Sequence, residues 1–193
     1  MANETKNNFD KKVQMHLACS KNDEYRRETE CIFFNNGYAY ATDTHILVRN
    51  RISEISGLNE SEIEALNGKF LHADFFKDML KYDSIMIAED GIECSRGNDK
   101  AFFYFSTFEK YPDAEKVLQD ALNKQTVPLP QFSFDMKLIQ RLNKALYQSD
   151  SCTATFKGVG NPIIFDSMDE EVSSVGLFMA LHNNPAKLSS DGE

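Results

Sequence analysis

Apolar and polar residues alternate most regularly between positions 31 and 48. Segments 31–34 and 38–48 predict two strands, and Asn35-Asn36-Gly37 between them predicts a tight hairpin turn. Alternation then places Tyr38, Tyr40, Thr42, Thr44, Ile46 and Val48 on one face of the second strand. Ala39, Ala41, Asp43, His45, Leu47 and Arg49 take the other face. Upstream, Phe9, Val13 and Leu17 at four-residue spacing predict a short helix, followed by a polar stretch over 20–30. Downstream, Ser61 with Glu64 three residues on predicts a capping box, and Gly68 closes that short helix. Residues 70–72 predict a strand. Residues 73–81 predict a helix with Phe75, Phe76, Met79 and Leu80 as its apolar stripe. Segments 84–88 and 91–95 form another hairpin pattern, and 101–105 a further strand.

The second half is less regular. Residues 112–123 are only weakly amphipathic, and Thr126-Val127-Pro128-Leu129-Pro130 predicts an extended linker. A strand over 132–134, a helix over 136–148 and strands over 153–156, 163–166 and 175–181 follow. The predicted organisation is a disordered start (1–8), a first unit (9–118), a linker (119–130), a second unit (131–182) and a disordered tail (183–193). Phe70, Phe76 and Leu80 recur at the same relative positions as Phe132, Leu138 and Leu142. Each set opens a strand–helix–hairpin–strand pattern, which suggests a duplicated module.

Composition narrows the class. With 41% hydrophobic residues and 15 Phe, the chain can build a packed core. No apolar run is long enough to span a bilayer, and the first residues lack an apolar signal-peptide core, so a cytoplasmic location is expected. Cys19, Cys31, Cys94 and Cys152 are scattered without a paired spacing, which predicts reduced thiols and no metal site. The net charge of −9 counts against tight wrapping of nucleic acid, although one face can still be positive. Asp43 and His45 are an Asp-x-His pair of the kind used in metal binding or acid–base work. No third ligand or nucleophile is apparent, and no cofactor motif is present, so an enzyme centred on them is the weakest reading.

The block Tyr40-Ala41-Thr42-Asp43-Thr44-His45-Ile46-Leu47-Val48 resembles the "ATDGHRLA" block of bacterial DNA sliding clamps, the beta subunits of DNA polymerase III. Residues 18–26 are similar to the "A-x-S-x-D-E-x-R" segment of the clamp middle domain, with one inserted residue. Residues 111–118 are similar to its closing "F-P-D-Y-x-x-V-I", and 175–181 to the "Y-V-V-M-P-M-R" end of the clamp C-terminal domain. The four blocks occur in family order. They cover a middle domain and the second half of a C-terminal domain. A first domain and the first half of the last have no counterpart, so a ring cannot close from two subunits in the family's way.

The resemblance implies an α+β fold of DNA-clamp (processivity-fold) modules, with antiparallel sheets and helices on one face. It implies a binding protein without catalytic activity, either a processivity factor in a homo-oligomer or a reduced clamp. The partners would be duplex DNA, held weakly and without sequence preference, and clamp-binding peptides of polymerase or repair proteins. The peptide pocket implied is Thr42, Thr44, His45, Leu47, Pro112, Val117, Leu177, Phe178, Met179 and Leu181. Such a groove offers apolar anchors with few polar groups, and Met and Phe make it adaptable. The DNA face implied is Lys77 and Lys81 on one helix and Lys137, Arg141 and Lys144 on another, each set a continuous stripe. Several positions depart from the family. Thr44 stands where Gly is usual, Ile46 and His182 replace Arg, and Ala180 replaces Pro. Thr29 stands for a pocket Leu, and Cys31 for Gly. A clamp-fold interaction module without DNA binding is the alternative.

Overall fold

A computed structural model describes residues 7–127, 134–147, 152–158, 160–169 and 171–180. The chain enters through a 3-10 turn at Met15–Leu17 and another at Arg27–Glu30. The strands and helices then run β1 (Cys31–Asn35), β2 (Tyr38–Thr42), β3 (Ile46–Arg51), α1 (Ile52–Ile55), α2 (Glu60–Ala65), β4 (Phe70–His72) and α3 (Ala73–Met79). They continue as β5 (Ser84–Ile87), β6 (Gly91–Arg96), β7 (Asp99–Tyr104), α4 (Ala114–Leu122), α5 (Met136–Ala145), β8 (Cys152–Phe156), β9 (Ile163–Ser167) and β10 (Val175–Phe178). All strand pairs are antiparallel. They form a seven-stranded sheet in the order β4-β1-β2-β3-β10-β9-β8 and a three-stranded sheet β5-β6-β7. The fold is α+β, and α3 and α5 are each followed by a three-stranded meander, as the duplicated pattern suggests. Phe132 of that pattern lies outside the described residues.

The β1–β2 hairpin turns at Asn36 (φ 49°) and Gly37 (φ 77°), the positive-φ pair that a two-residue turn needs. The segment read as one long strand is two. A turn at Asp43-Thr44-His45 reverses the chain, with Thr44 at φ 75°. This changes the faces. Thr42 pairs with Leu47 and Tyr40 with Arg49, so Thr42 and Leu47 share one face instead of opposing each other. The predicted short helix over 9–19 is also absent. Phe9 instead bridges Ser56, and only Met15–Leu17 turn helically. The capping box exists two residues earlier than read: Asn59 Oδ1 accepts from Glu62 N, and Asn59 N donates to Glu62 Oε2.

One face of the large sheet carries Ile32, Phe34, Ala39, Ala41, Ile46, Val48, Ile163 and Phe178. These pack in one core with Phe76 and Met79 of α3 and Leu142 and Ala145 of α5. The opposite face carries Cys31, Tyr40, Leu47, Phe70, Ile164, Val175 and Leu177, covered by Tyr111 and by Ala114, Leu118 and Ala121 of α4. Helices therefore lie on both faces, not on one. The reason is legible in α4, whose buried residues recur on a single side and need a sheet beneath them.

Described residues of the predicted linker are built into the fold, while 128–130 lie outside the described residues. Positions 119–122 belong to α4, and Val127 N donates to Phe156 O. At the start, Asn8 is buried and its side-chain amide donates to Met79 O and Tyr82 O, while Ile85 N donates to Asn7 O. β3 and β10 are hydrogen-bonded neighbours, so the two predicted units share one sheet. Three residues dock α5. Gly176 lets it approach, since a Cβ there would lie 2.8 Å from Leu142 Cδ1. Asn50, with no solvent exposure, donates to Ala145 O and accepts from Tyr147 N, and Gln14 N donates to Lys144 O. These bonds satisfy carbonyls that a helix end otherwise leaves orphaned. No helix among the described residues is long and apolar enough to cross a membrane.

Candidate functional site

Eight of the ten residues implied for the pocket come together around one cavity of about 260 Å³: Thr42, Thr44, His45, Leu47, Pro112, Val117, Leu177 and Met179. The turn after β2 supplies one wall, the first turn of α4 a second and the end of β10 the third. Ile46, Ala114 and Pro162 complete the lining, and the sequence reading missed them. Ala114 sits two residues from Pro112 in the same segment, and that spacing could have flagged it. Pro162 comes from the turn before β9, and nothing in its local sequence points there.

Phe178 does not line the cavity. Alternation along β10 turns it to the opposite face, where it is fully buried and meets Phe134 edge-on at 5.9 Å. Leu181 lies outside the described residues. Thr29 is fully buried with its hydroxyl donating to Arg26 O, and Cys31 is buried beneath α4, so neither adds to the lining.

The walls are fixed by hydrogen bonds. Thr42 Oγ1 donates to Ile46 O at 2.7 Å and accepts from Thr44 N at 3.0 Å. Asp43 Oδ1 accepts from His45 N and from Ile46 N, both at 2.9 Å. Met179 N donates to His45 O at 3.0 Å, which extends the β3–β10 ladder to the lip of the cavity. The α4 wall is held by Glu115, which accepts from Tyr40 OH, Arg49 and Gln119. Burial alone would raise its pKa, but these hydrogen bonds outweigh that effect and hold the carboxyl below its ordinary range. The cavity is thus a preformed, mostly apolar cleft with a few polar groups at its rim, the usual form of a ligand site.

The Asp43 carboxylate is engaged by groups other than the His45 ring. Asp43 Oδ2 meets the Arg141 guanidinium at 2.7 Å, and His45 is exposed with its Nδ1 3.3 Å from Asp43 O. No group of three or more His, Cys, Asp or Glu among the described residues could hold a metal ion.

The implied DNA stripe is split. Lys77, Lys137 and Lys144 are exposed on α3 and α5, which flank the same 3-10 turn. Lys81 is ion-paired with Asp78. Arg141 does not stand with the lysines: besides Asp43, its Nε donates to Leu17 O at 2.7 Å. The i, i+4 and i+7 spacing was read correctly, but an acidic partner from a distant turn claims its middle member.

This architecture is the DNA sliding-clamp fold. The chain superposes on the DNA polymerase sliding clamp of Bacillus subtilis with a TM-score of 0.63 and 14% identity, over 88% of this chain and 60% of that one. The H. pylori beta clamp in complex with diflunisal gives 0.62 and 11%, over 95% and 68%. The DNA polymerase III subunit beta of Pseudomonas aeruginosa bound to griselimycin gives 0.57 and 10%, over 89% and 64%. The chain thus spans about 60% of the length of the first of these clamps. At such identities the shared property is the fold. No family model and no curated protein matches the sequence.

Proposed function

We propose that the chain is a reduced sliding-clamp-like binding protein that captures clamp-binding peptides of replication or repair proteins in the Thr42–Leu177–Met179 cleft. The observation that carries this is the cleft itself. In a clamp fold, turn, helix and last strand converge on an apolar cavity sized for a few side chains. Val117, 49% exposed, and Met179, half-buried, offer apolar surface at the rim where a peptide's anchors would enter. The reading is non-catalytic, because the turn and Arg141 engage the Asp43 carboxylate. Binding of a labelled clamp-motif peptide, followed by anisotropy, tests it. Wild-type protein should bind and Met179→Asp should not, since the substitution places a charge against apolar anchors. Failure of the wild type to bind refutes the assignment.

Weak, sequence-independent contact with duplex DNA through Lys77, Lys137 and Lys144 completes the reading, in a cytoplasmic setting and as part of an oligomer if the duplex is to be encircled. Each phosphate neutralised would add about one unit to the salt slope. The alternative, an interaction module without DNA binding, is favoured by the net charge of −9 and by the engagement of Arg141. Low-salt retardation of labelled duplex, lost with Lys137→Glu and Lys144→Glu together, separates the two. Solution mass decides the oligomer.

A further inference from the structure

We propose that Arg141 is a positioning residue of the cleft: it braces the Asp43-Thr44-His45 turn from the far side of the sheet and so sets the shape of one wall. The inference rests on the peptide-binding reading of that cleft.

The turn needs support. Thr44, a β-branched residue, is held at φ 75°, a conformation that persists only where surrounding contacts over-determine it. The Asp43 carboxylate supplies those contacts and divides its two oxygens. Oδ1 takes the N–H groups of His45 and Ile46, and Oδ2 takes Arg141. Arg141 is itself fixed, with Nε on Leu17 O at 2.7 Å and Nη2 3.5 Å from Cys19 O. The two side chains are 32% and 12% exposed, so salt screens the pair only partly.

The chain of contacts therefore runs from the 3-10 turn at Met15–Leu17, through α5, to the turn that contributes Thr44 and His45 to the cleft. Without the guanidinium, the largely buried Asp43 carboxylate would lose its ion-pair partner, and its grip on the two N–H groups would loosen. Arg141 touches no ligand in this scheme. It acts through Asp43.

A double-mutant cycle on the full chain tests the brace, with affinity for the labelled clamp-motif peptide as the readout. Arg141→Met and Asp43→Asn should each weaken binding about tenfold, and the double variant should be no weaker than either, as for two residues acting as one unit. Asp43→Asn keeps an amide oxygen for the turn, so it stays folded even if Arg141→Met does not. Arg141→Lys, which retains the charge, should restore most of the affinity. Wild-type affinity in Arg141→Met, additive losses in the double variant, or no recovery with Lys would overturn the proposal. If the wild type binds no peptide, the cleft reading fails but the brace is still measurable. Amide exchange at His45 and Ile46 in the unliganded protein should be about tenfold faster in Arg141→Met. Unchanged exchange would refute the brace by itself.

Discussion

Thr44 is the most informative place to perturb the molecule. A residue with a Cβ in the left-handed region costs about 1–2 kcal/mol, and β-branching makes that conformation rarer still. Glycine removes the cost but is about 0.5–1 kcal/mol worse in chain entropy. Thr44 is exposed and its N–H bond to Thr42 Oγ1 survives the change, so no burial or backbone bond is lost. Thr44→Gly should therefore stabilise the fold by roughly 0.5–1 kcal/mol, a rise of about 1–4 °C in Tm for a chain of this size. Urea titration and thermal melts read it, with Thr44→Ala as the control. Alanine loses the branch but keeps the Cβ, so its gain should be smaller. A neutral or destabilising Thr44→Gly, or an equal gain with alanine, would show that the turn is not strained.

Two further predictions follow from buried polar groups. Asn50→Ala leaves the Ala145 carbonyl and the Tyr147 N–H without their partner, and at about 1–3 kcal/mol per orphaned group a total loss of about 2–6 kcal/mol is expected in urea unfolding. A loss below about 0.5 kcal/mol would mean that water replaces the amide. His16 has its pKa lowered from 6.5, first by burial and then by Lys77 and Lys21. The unfolded chain then takes up its proton at higher pH than the folded one, so stability is full above about pH 6.5 and declines as the pH falls below it. Thermal melts from about pH 7.5 to about pH 5.5 should show a shallower decline in His16→Gln, and parallel profiles would discount burial of the imidazole.

Much of the fold was readable because local signals agreed with the tertiary result. Asn36-Gly37 marks its turn chemically, and the β5–β6 hairpin, β4 and α3 follow their apolar periods. The turn at Thr44 was hidden because its left-handed residue is not glycine, and the unbroken alternation around it imitates one strand. That single omission put Thr42 and Leu47 on opposite faces. The resemblance to clamps nevertheless grouped them in one pocket, since it carries three-dimensional proximity that alternation does not. Phe178 shows the opposite limit: a linear block carries all its residues together, whereas period-two alternation sends every second one to the other face. The Arg141–Asp43 pair is not legible in the sequence, because helix spacing shows which residues are neighbours on a face, not which distant carboxylate pairs with one of them.

The pairing of β3 with β10 makes the molecule hard to dissect. Cutting the chain near residue 127 would strip the partner from Ile46, Leu47 and Val48 and leave a bare apolar strand edge in the longer fragment. The shorter fragment would keep β8, β9 and β10 but lose β3 and the Met15–Leu17 turn, which also pack against α5. Fragments expressed separately should therefore aggregate, or recover a native state only when mixed.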